Sequence, residues 1–545
     1  MKQKLRLISF LLTVCVLSLE LVSCNPAPGP SVSTTPSGGQ SQLPGQGSDL
    51  AYTLTQADVD ALLASIEECE HLFLNCAPTE AELQEALDDV DSRYTHISTQ
   101  AQLAYIYYCL DQTGEQASQD YLFATAAQSD CYERYNEMCK RIDDSASPNR
   151  DFFFGDWSEE ELEEMRGYSA EMTEISRENN ELLVAYRELD DAGFMNGAAY
   201  YYLQVMQNNN RLAELNGYEN YWDYAYDLYN RDYGSEELET MRSYVRQYLI
   251  PLMESAIGQF SILYSSLSRS EQQMVQNLLG ENYDALTTDY IAAYTASYDN
   301  AAHKNMQSLF EPENSFFTDS DASHKGAFTV WLYENERPVC YFGPGYQTVT
   351  TVVHEMGHYY AALVNDGSTS LLDLAEAQSQ GNEWMFLSFL GEQFSPMVSQ
   401  VILLNQLLQA LSTILLCTAV DEFEQRCYTT RPESVEDLNE IAADVVAGYG
   451  GAEWFSYYIA DFPMYWRMVV LENPVYYISY AVSMLAALQI YCIAEEQSYG
   501  AGQSAYLKLV EADPESTFIE ALAEAGLGNP LTDASVYEAI CRLME

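Results

Sequence analysis

The sequence predicts an all-α fold, mostly helical, interrupted by one small β-hairpin. Three observations carry this. Between Glu80 and Arg337 only Pro148, Pro251 and Pro312 occur, so long uninterrupted helices are permitted there. The stretches LLVAYRELDDAGFMNGAAYYYLQVM and LETMRSYVRQYLIPLMESAIGQFSILYSSL repeat apolar residues at three- and four-residue steps, the spacing of one helix face. Thr55-Gln-Ala-Asp58 and Thr79-Glu-Ala-Glu82 have the form of capping boxes, in which a hydroxyl and a carboxylate satisfy each other's orphan N–H groups at a helix start.

The first fifty of the 545 residues differ from the rest. Lys2, Lys4 and Arg6 make a basic start, and Leu7 to Leu19 is an apolar run too short to span a bilayer. This is the pattern of a secretory signal. Leu21-Val22-Ser23-Cys24 has the form of a bacterial lipobox, so residues 1–23 are expected to be removed and Cys24 lipidated. Glu20 is an unusual charge so close to that point. Residues 24–50 are rich in Pro, Gly, Ser and Gln and cannot build a packed core. As a flexible tether they reach roughly 30 Å on average. The expected location is extracytoplasmic, with a lipid anchor at Cys24 rather than a transmembrane helix.

The body divides on this reading into an N-terminal helical region, 51–200, and a catalytic region, 201–545. The formal charge of the whole chain is −58, from 82 acids against 24 bases. Such a surface repels phosphate backbones, so no nucleic-acid role is expected. It suits an exported protein and favours cationic peptides. Ten cysteines remain besides Cys15 and Cys24. Cys69 with Cys76, and Cys131 with Cys139, are close enough in sequence to pair, and buried free thiols are equally compatible with the spacing. No CxxC occurs, which argues against a cysteine metal cluster.

Residues 326–343, GAFTVWLYENERPVCYFG, carry β-rich runs around the turn-like Glu334-Asn-Glu-Arg337 and predict a hairpin. It either covers the core or offers an edge strand to an extended peptide. Residues 401–420, VILLNQLLQALSTILLCTAV, have no charge, but scattered Asn, Gln, Ser and Thr favour a buried central helix over a membrane span.

The chemistry concentrates after the hairpin. In VVHEMGHYY, residues 352–360, His354 and His358 stand four apart and share a helix face, so both imidazoles can reach one zinc ion. Glu355 points about a quarter-turn away, where it can take a proton from water rather than bind metal. A catalytic zinc takes three protein ligands and keeps one position open. No histidine follows His358, so the third ligand is expected to be a carboxylate. In LLDLAEAQSQGNEW, residues 371–384, Glu376 and Glu383 are two turns apart on one face. Glu376 is the expected ligand, Glu383 the partner of a ligand histidine, and Asp373 a further support of the ligand histidines, while Ser370 with Asp373 is expected to cap the helix start.

HEMGH followed by Glu376-Ala-Gln-Ser-Gln-Gly-Asn-Glu383-Trp384 resembles the thimet oligopeptidase and oligoendopeptidase F family of zinc metallopeptidases. The stretch NNNRLAELNGYENYWDYAYDLYNRDYGSEE, residues 208–237, is similar to that family's helical region, as are GAFTVWLYENERPVCYF and STILLCTAVDEFEQ to the segments flanking its zinc site. The resemblance spans roughly residues 200–500. It implies a two-lobed helical body with a deep channel, one zinc ion per chain on His354, His358 and Glu376, and hydrolysis of short peptides. ENPVYYISYAVSM is similar to the family's Tyr-x-x-Tyr segment, and to that of angiotensin-converting enzyme. By that match Tyr480 donates to the oxyanion and Tyr477 assists in substrate binding. Asn473 and Pro474 read as the N-cap and first residue of this helix.

Two departures stand out. The link from His358 to Glu376 is shorter than the family's, and Val470 stands where the family commonly has a histidine. A carboxypeptidase-like enzyme on the same scaffold, or an anchored protein that binds peptides without cutting them, are the competing readings.

Overall fold

The structure is a computed structural model. It describes residues 50–544 except 156, 158–161, 163–164, 167–169, 188, 190, 280–284, 369–370 and 472. Cys24, its lipobox and linker residues 25–49 lie outside the described residues, as does Ser370. Leu50, at the end of the expected linker, is instead packed, with its carbonyl accepting from the Tyr107 hydroxyl at 2.8 Å.

The helices are α1 (Gln56–Asn75), α2 (Glu80–Leu110), α3 (Glu115–Asp143), α4 (Arg150–Phe154), α5 (Ala170–Arg187), α6 (Asp191–Leu215), α7 (Tyr221–Leu228) and α8 (Ser235–Tyr244). There follow α9 (Ile250–Ser266), α10 (Arg269–Leu279), α11 (Ala285–Thr295) and α12 (Asn300–Ser308). Then come strands β1 (Ser315–Phe317), β2 (Ala327–Leu332) and β3 (Arg337–Phe342). The rest is α13 (Val349–Val364), α14 (Leu372–Gly391), α15 (Pro396–Thr430), α16 (Val435–Gly448), α17 (Ala452–Tyr458), α18 (Phe462–Val469), α19 (Ile478–Glu496), α20 (Tyr499–Val510), α21 (Phe518–Ala525) and α22 (Ala534–Arg542). The fold is mostly α, as the periodicity predicts.

Two compact units emerge. The first holds the described residues up to Glu174 together with Phe310–Pro344; the second holds Ile175–Leu309 and Gly345 onward. Residue 200 lies in the middle of α6, within the second unit.

In the first unit, α1 to α3 pack on one another. The predicted capping box at Thr79 forms in full: the Thr79 N–H donates to Glu82 Oε2 at 2.7 Å, and the Glu82 N–H donates to Thr79 Oγ1 at 3.3 Å. At the other, the Thr55 N–H donates to Asp58 Oδ2 at 2.9 Å, and the Asp58 N–H turns to the Thr55 carbonyl at 3.1 Å. The sheet has the order β1-β3-β2, with β1 parallel and β2 antiparallel to β3. The hairpin pairs Ala327 with Phe342 and Leu332 with Arg337, and Glu336 closes its turn at φ +48°. The sheet is tied to α2: the Cys109 carbonyl accepts from the His324 N–H at 2.7 Å and from the Tyr341 hydroxyl at 2.9 Å.

The core of the second unit is built on α14, α15 and α19. The helices Pro396–Thr430 and Ile478–Glu496 are long and apolar enough to cross a membrane, but both pack into the interior of this unit. The first also buries Glu424, whose carboxyl burial pushes well above its ordinary pKa, and the carboxylates Asp421 and Glu422, matched to Arg242 and Arg246. Buried charges of that kind need such partners. A π-helical turn at Val245–Leu249 precedes Pro251, whose ring cannot continue the ordinary hydrogen-bond ladder. The cysteines among the described residues are all free, Cys69, Cys131 and Cys139 buried and Cys76 exposed.

Candidate metal centre

Thr348 starts α13, its hydroxyl accepting from the Thr351 N–H at 3.1 Å. Six residues on, the helical period brings His354 and His358 onto one side, with ring centroids 4.9 Å apart. Glu376 approaches them from α14. Its Oε2 lies 3.7 Å from His354 Nε2 and 3.9 Å from His358 Nε2. The three candidate ligand atoms fall within 4.8 Å of one another. Tetrahedral zinc with bonds of about 2.0 Å separates its ligands by roughly 3.3 Å, so a small inward movement closes the set. Two imidazoles and a buried carboxylate are the donor chemistry zinc selects.

The approach of α14 depends on Gly357. A Cβ there would meet the Ser379 Cα at 2.6 Å and the Gln378 carbonyl oxygen at 3.0 Å. The bare glycine lets the two backbones touch, and Asn382 fastens them by donating to the Val353 carbonyl at 2.7 Å. Ser379 donates to the Glu376 carbonyl at 3.0 Å, within the same turn.

His354 is held from behind. Its Nδ1 lies 2.7 Å from Glu383 Oε1, so the carboxylate holds Nδ1 as the donor and leaves Nε2 facing Glu376. Burial opposes charge on this ring, but the bond to Glu383 and the charges of Glu383, Glu376 and Glu355 push its pKa up to about 9. His358 moves the other way, held well below its ordinary value by burial and by the neighbouring His354. Glu355 is buried on the same helix as the two imidazoles.

Asp373, also on α14, is not a cap. Leu371 occupies the N-cap position without a side-chain bond. Nor is an imidazole its partner. Asp373 accepts from the Tyr233 hydroxyl at 2.6 Å and from Ser479, and lies 3.6 Å from Arg231 Nε. One turn of helix separates this buried group from Glu376.

The tyrosine segment departs from expectation at its start. The helix begins at Ile478, with Tyr477 as N-cap, rather than at Asn473. Val475 intervenes at φ +61°, a left-handed conformation that no helix can continue. Tyr477 and Tyr480 remain neighbours, with centroids 6.0 Å apart. Sequence reasoning missed Tyr476, whose hydroxyl lies 3.5 Å from that of Tyr480. Among 43 tyrosines nothing in the sequence marked it. Arg231 was missed as well; it lies in the stretch 208–237, but only folding brings it to Val475 and Ser479. Val470, where the resemblance places a histidine, is fully buried.

A cavity of about 230 Å³ adjoins these groups, lined by Glu383, Gln380, Tyr480, Trp384, Phe386 and Met484 among others.

No protein-family model matches the sequence, and no curated protein does. Solved structures do. A 3.1 Å X-ray structure assigned as oligoendopeptidase F aligns with TM-score 0.69 and 16% identity, covering 90% of this chain and 98% of that one. PZ peptidase A with an inhibitor aligns at 0.67 and 16%, covering 90% and 96%. Oligoendopeptidase F from Enterococcus faecium aligns at 0.57 and 14%, covering 90% and 95%. The chain has the fold of these proteins over nearly all the described residues.

Proposed function

We propose that this chain is a zinc-dependent endopeptidase for short peptides, tethered outside the cytoplasmic membrane through Cys24. The observation that carries the reading is the convergence of His354, His358 and Glu376, with Glu355 beside them and Glu383 behind His354. Structures of the same fold that are described as oligoendopeptidases and a peptidase support it.

Zinc, when bound, polarises the scissile carbonyl and makes water a better nucleophile near neutral pH. The chain supplies the rest. Glu355 accepts a proton from the attacking water and returns it to the leaving amine. Tyr480 donates a hydrogen bond where negative charge develops on the carbonyl oxygen. Tyr477 contacts the bound peptide. Glu383 keeps His354 in the tautomer that faces the metal. The surface charge favours peptides with basic residues.

Elemental analysis of the purified protein, with cleavage of a quenched peptide library before and after chelation, tests this reading. One zinc per chain and chelator-sensitive internal cleavage are expected. Zinc-loaded protein that retains peptides uncut would instead make it a peptide-binding protein. The anchor is tested separately: a labelled fatty acid is incorporated by the full chain and not by Cys24→Ala.

A further inference from the structure

Val475 is a β-branched residue in the left-handed region, buried to 1% exposure, directly before the tyrosine segment. That conformation costs roughly 1–3 kcal/mol and persists only when its surroundings impose it. Both of its backbone polar groups are gripped. Its N–H donates to Glu424 Oε1 at 2.8 Å, and its carbonyl accepts from Arg231 Nη1 at 2.9 Å. Glu424 is wholly buried on α15, and its Oε2 has no hydrogen-bond partner among the described residues. Arg231 is buried between the rings of Tyr226 and Tyr229, 4.5 and 4.7 Å from their centroids.

Arg231 does more than hold the strained peptide. Its Nη2 donates to Ser479 Oγ at 2.9 Å, in the first turn of α19 beside Tyr480. Ser479 in turn donates to Asp373, one turn before Glu376. Ser483 adds a second tie, donating to Gln380 Oε1 at 3.0 Å. The helix bearing the carboxylate ligand and the helix bearing the tyrosine therefore share one buried hub.

We propose that Arg231 and Glu424 are positioning residues that clamp the Val475 peptide in its left-handed conformation and so aim the Tyr480 hydroxyl at the reacting carbonyl. The catalytic half rests on the hydrolase reading above. Neither residue touches substrate. A plain core role predicts lost stability, whereas the clamp predicts loss through Tyr480.

The test uses full-length, zinc-loaded protein. Glu424→Leu removes the acceptor while keeping much of the shape. Its kcat is expected to fall about tenfold, within the loss caused by removing an oxyanion donor, with KM and zinc content little changed. Glu424→Gln keeps a carbonyl oxygen for the Val475 N–H and restores most of the rate. Adding Val475→Gly to Glu424→Leu also restores it, because glycine adopts a positive φ without strain. In a Tyr480→Phe background, Glu424→Leu brings no further loss. Hydrogen exchange reads the clamp without activity: amides of 475–480 exchange about tenfold faster in Glu424→Leu, and those of α13 do not.

Should Glu424→Leu not fold, Arg231→Lys takes its place, since one ammonium cannot reproduce the fork that spans Val475 and Ser479. Unchanged exchange at 475–480, or an equal loss of rate with and without Tyr480, overturns the proposal. Wild-type protein that binds zinc and cleaves nothing overturns the hydrolase reading instead, and the exchange measurement still decides the clamp.

Discussion

The imidazole of His354 has two neighbours at once, Glu383 behind and Glu376 in front. The first orients the ring, and the second shares its would-be ligand position. Removing the orienting group is expected to cost about 10- to 100-fold in metal affinity, so Glu383→Ala should lose zinc to a chelator at correspondingly lower concentration. Glu355 separates from this behaviour. Glu355→Gln should keep full zinc content while the cleavage rate falls by about 10²- to 10⁴-fold, the range for a removed general base. Measuring metal and rate on the same sample distinguishes the two residues; normal cleavage by Glu355→Gln would remove it from the mechanism.

At the scale of elements, the decisive contact is the approach of α13 to α14. It rests on Gly357, where a methyl group would strike the Ser379 Cα. Gly357→Ala should force the helices apart by a few tenths of an ångström or more, at a cost of about 1–3 kcal/mol. Because Glu376 rides on the displaced helix, zinc affinity should fall together with thermal stability. A lower melting temperature with unaltered zinc binding would show that the ligand geometry does not depend on this contact. The tyrosine helix teaches a related lesson. Asn-Pro is a sound helix start by local chemistry, yet the helix begins at Ile478. Glu424 and Arg231, distant in sequence, hold Val475 out of the helical region.

At the scale of the whole molecule, charge and its few cations matter most. With −58 spread over the chain, the KM for a Lys- and Arg-rich peptide should rise as salt goes from about 0.05 M to about 0.5 M, while that for a neutral peptide stays level. In the first unit Asp143 gathers two of the scarce bases. The Arg166 bond, opposed by burial and aided by Arg150, lowers its pKa from 3.8 to about 2. A depressed carboxylate contributes stability above its unfolded value, and that contribution is lost as pH falls from about 4 to about 2. Asp143→Asn should therefore flatten the acid limb of the stability curve in that window. The effect is at most about 2 kcal/mol, less after screening, since the two arginine side chains are 28% and 40% exposed.

The sequence by itself determined what the helical period determines. His354 with His358, and Glu376 with Glu383, are spaced within single helices, where 3.6 residues per turn fixes which side chains share a face. The mostly helical fold and the 326–343 hairpin were legible for the same reason, being local patterns. Only the tertiary structure decided how the separate elements meet: which face of α14 turns to His354, that Asp373 belongs to Arg231 and Ser479 rather than to a cap, and that Val475 breaks the helix. Those outcomes follow from close packing and from pairing buried charges, and residues on separate elements carry no shared signal until the chain has brought them together.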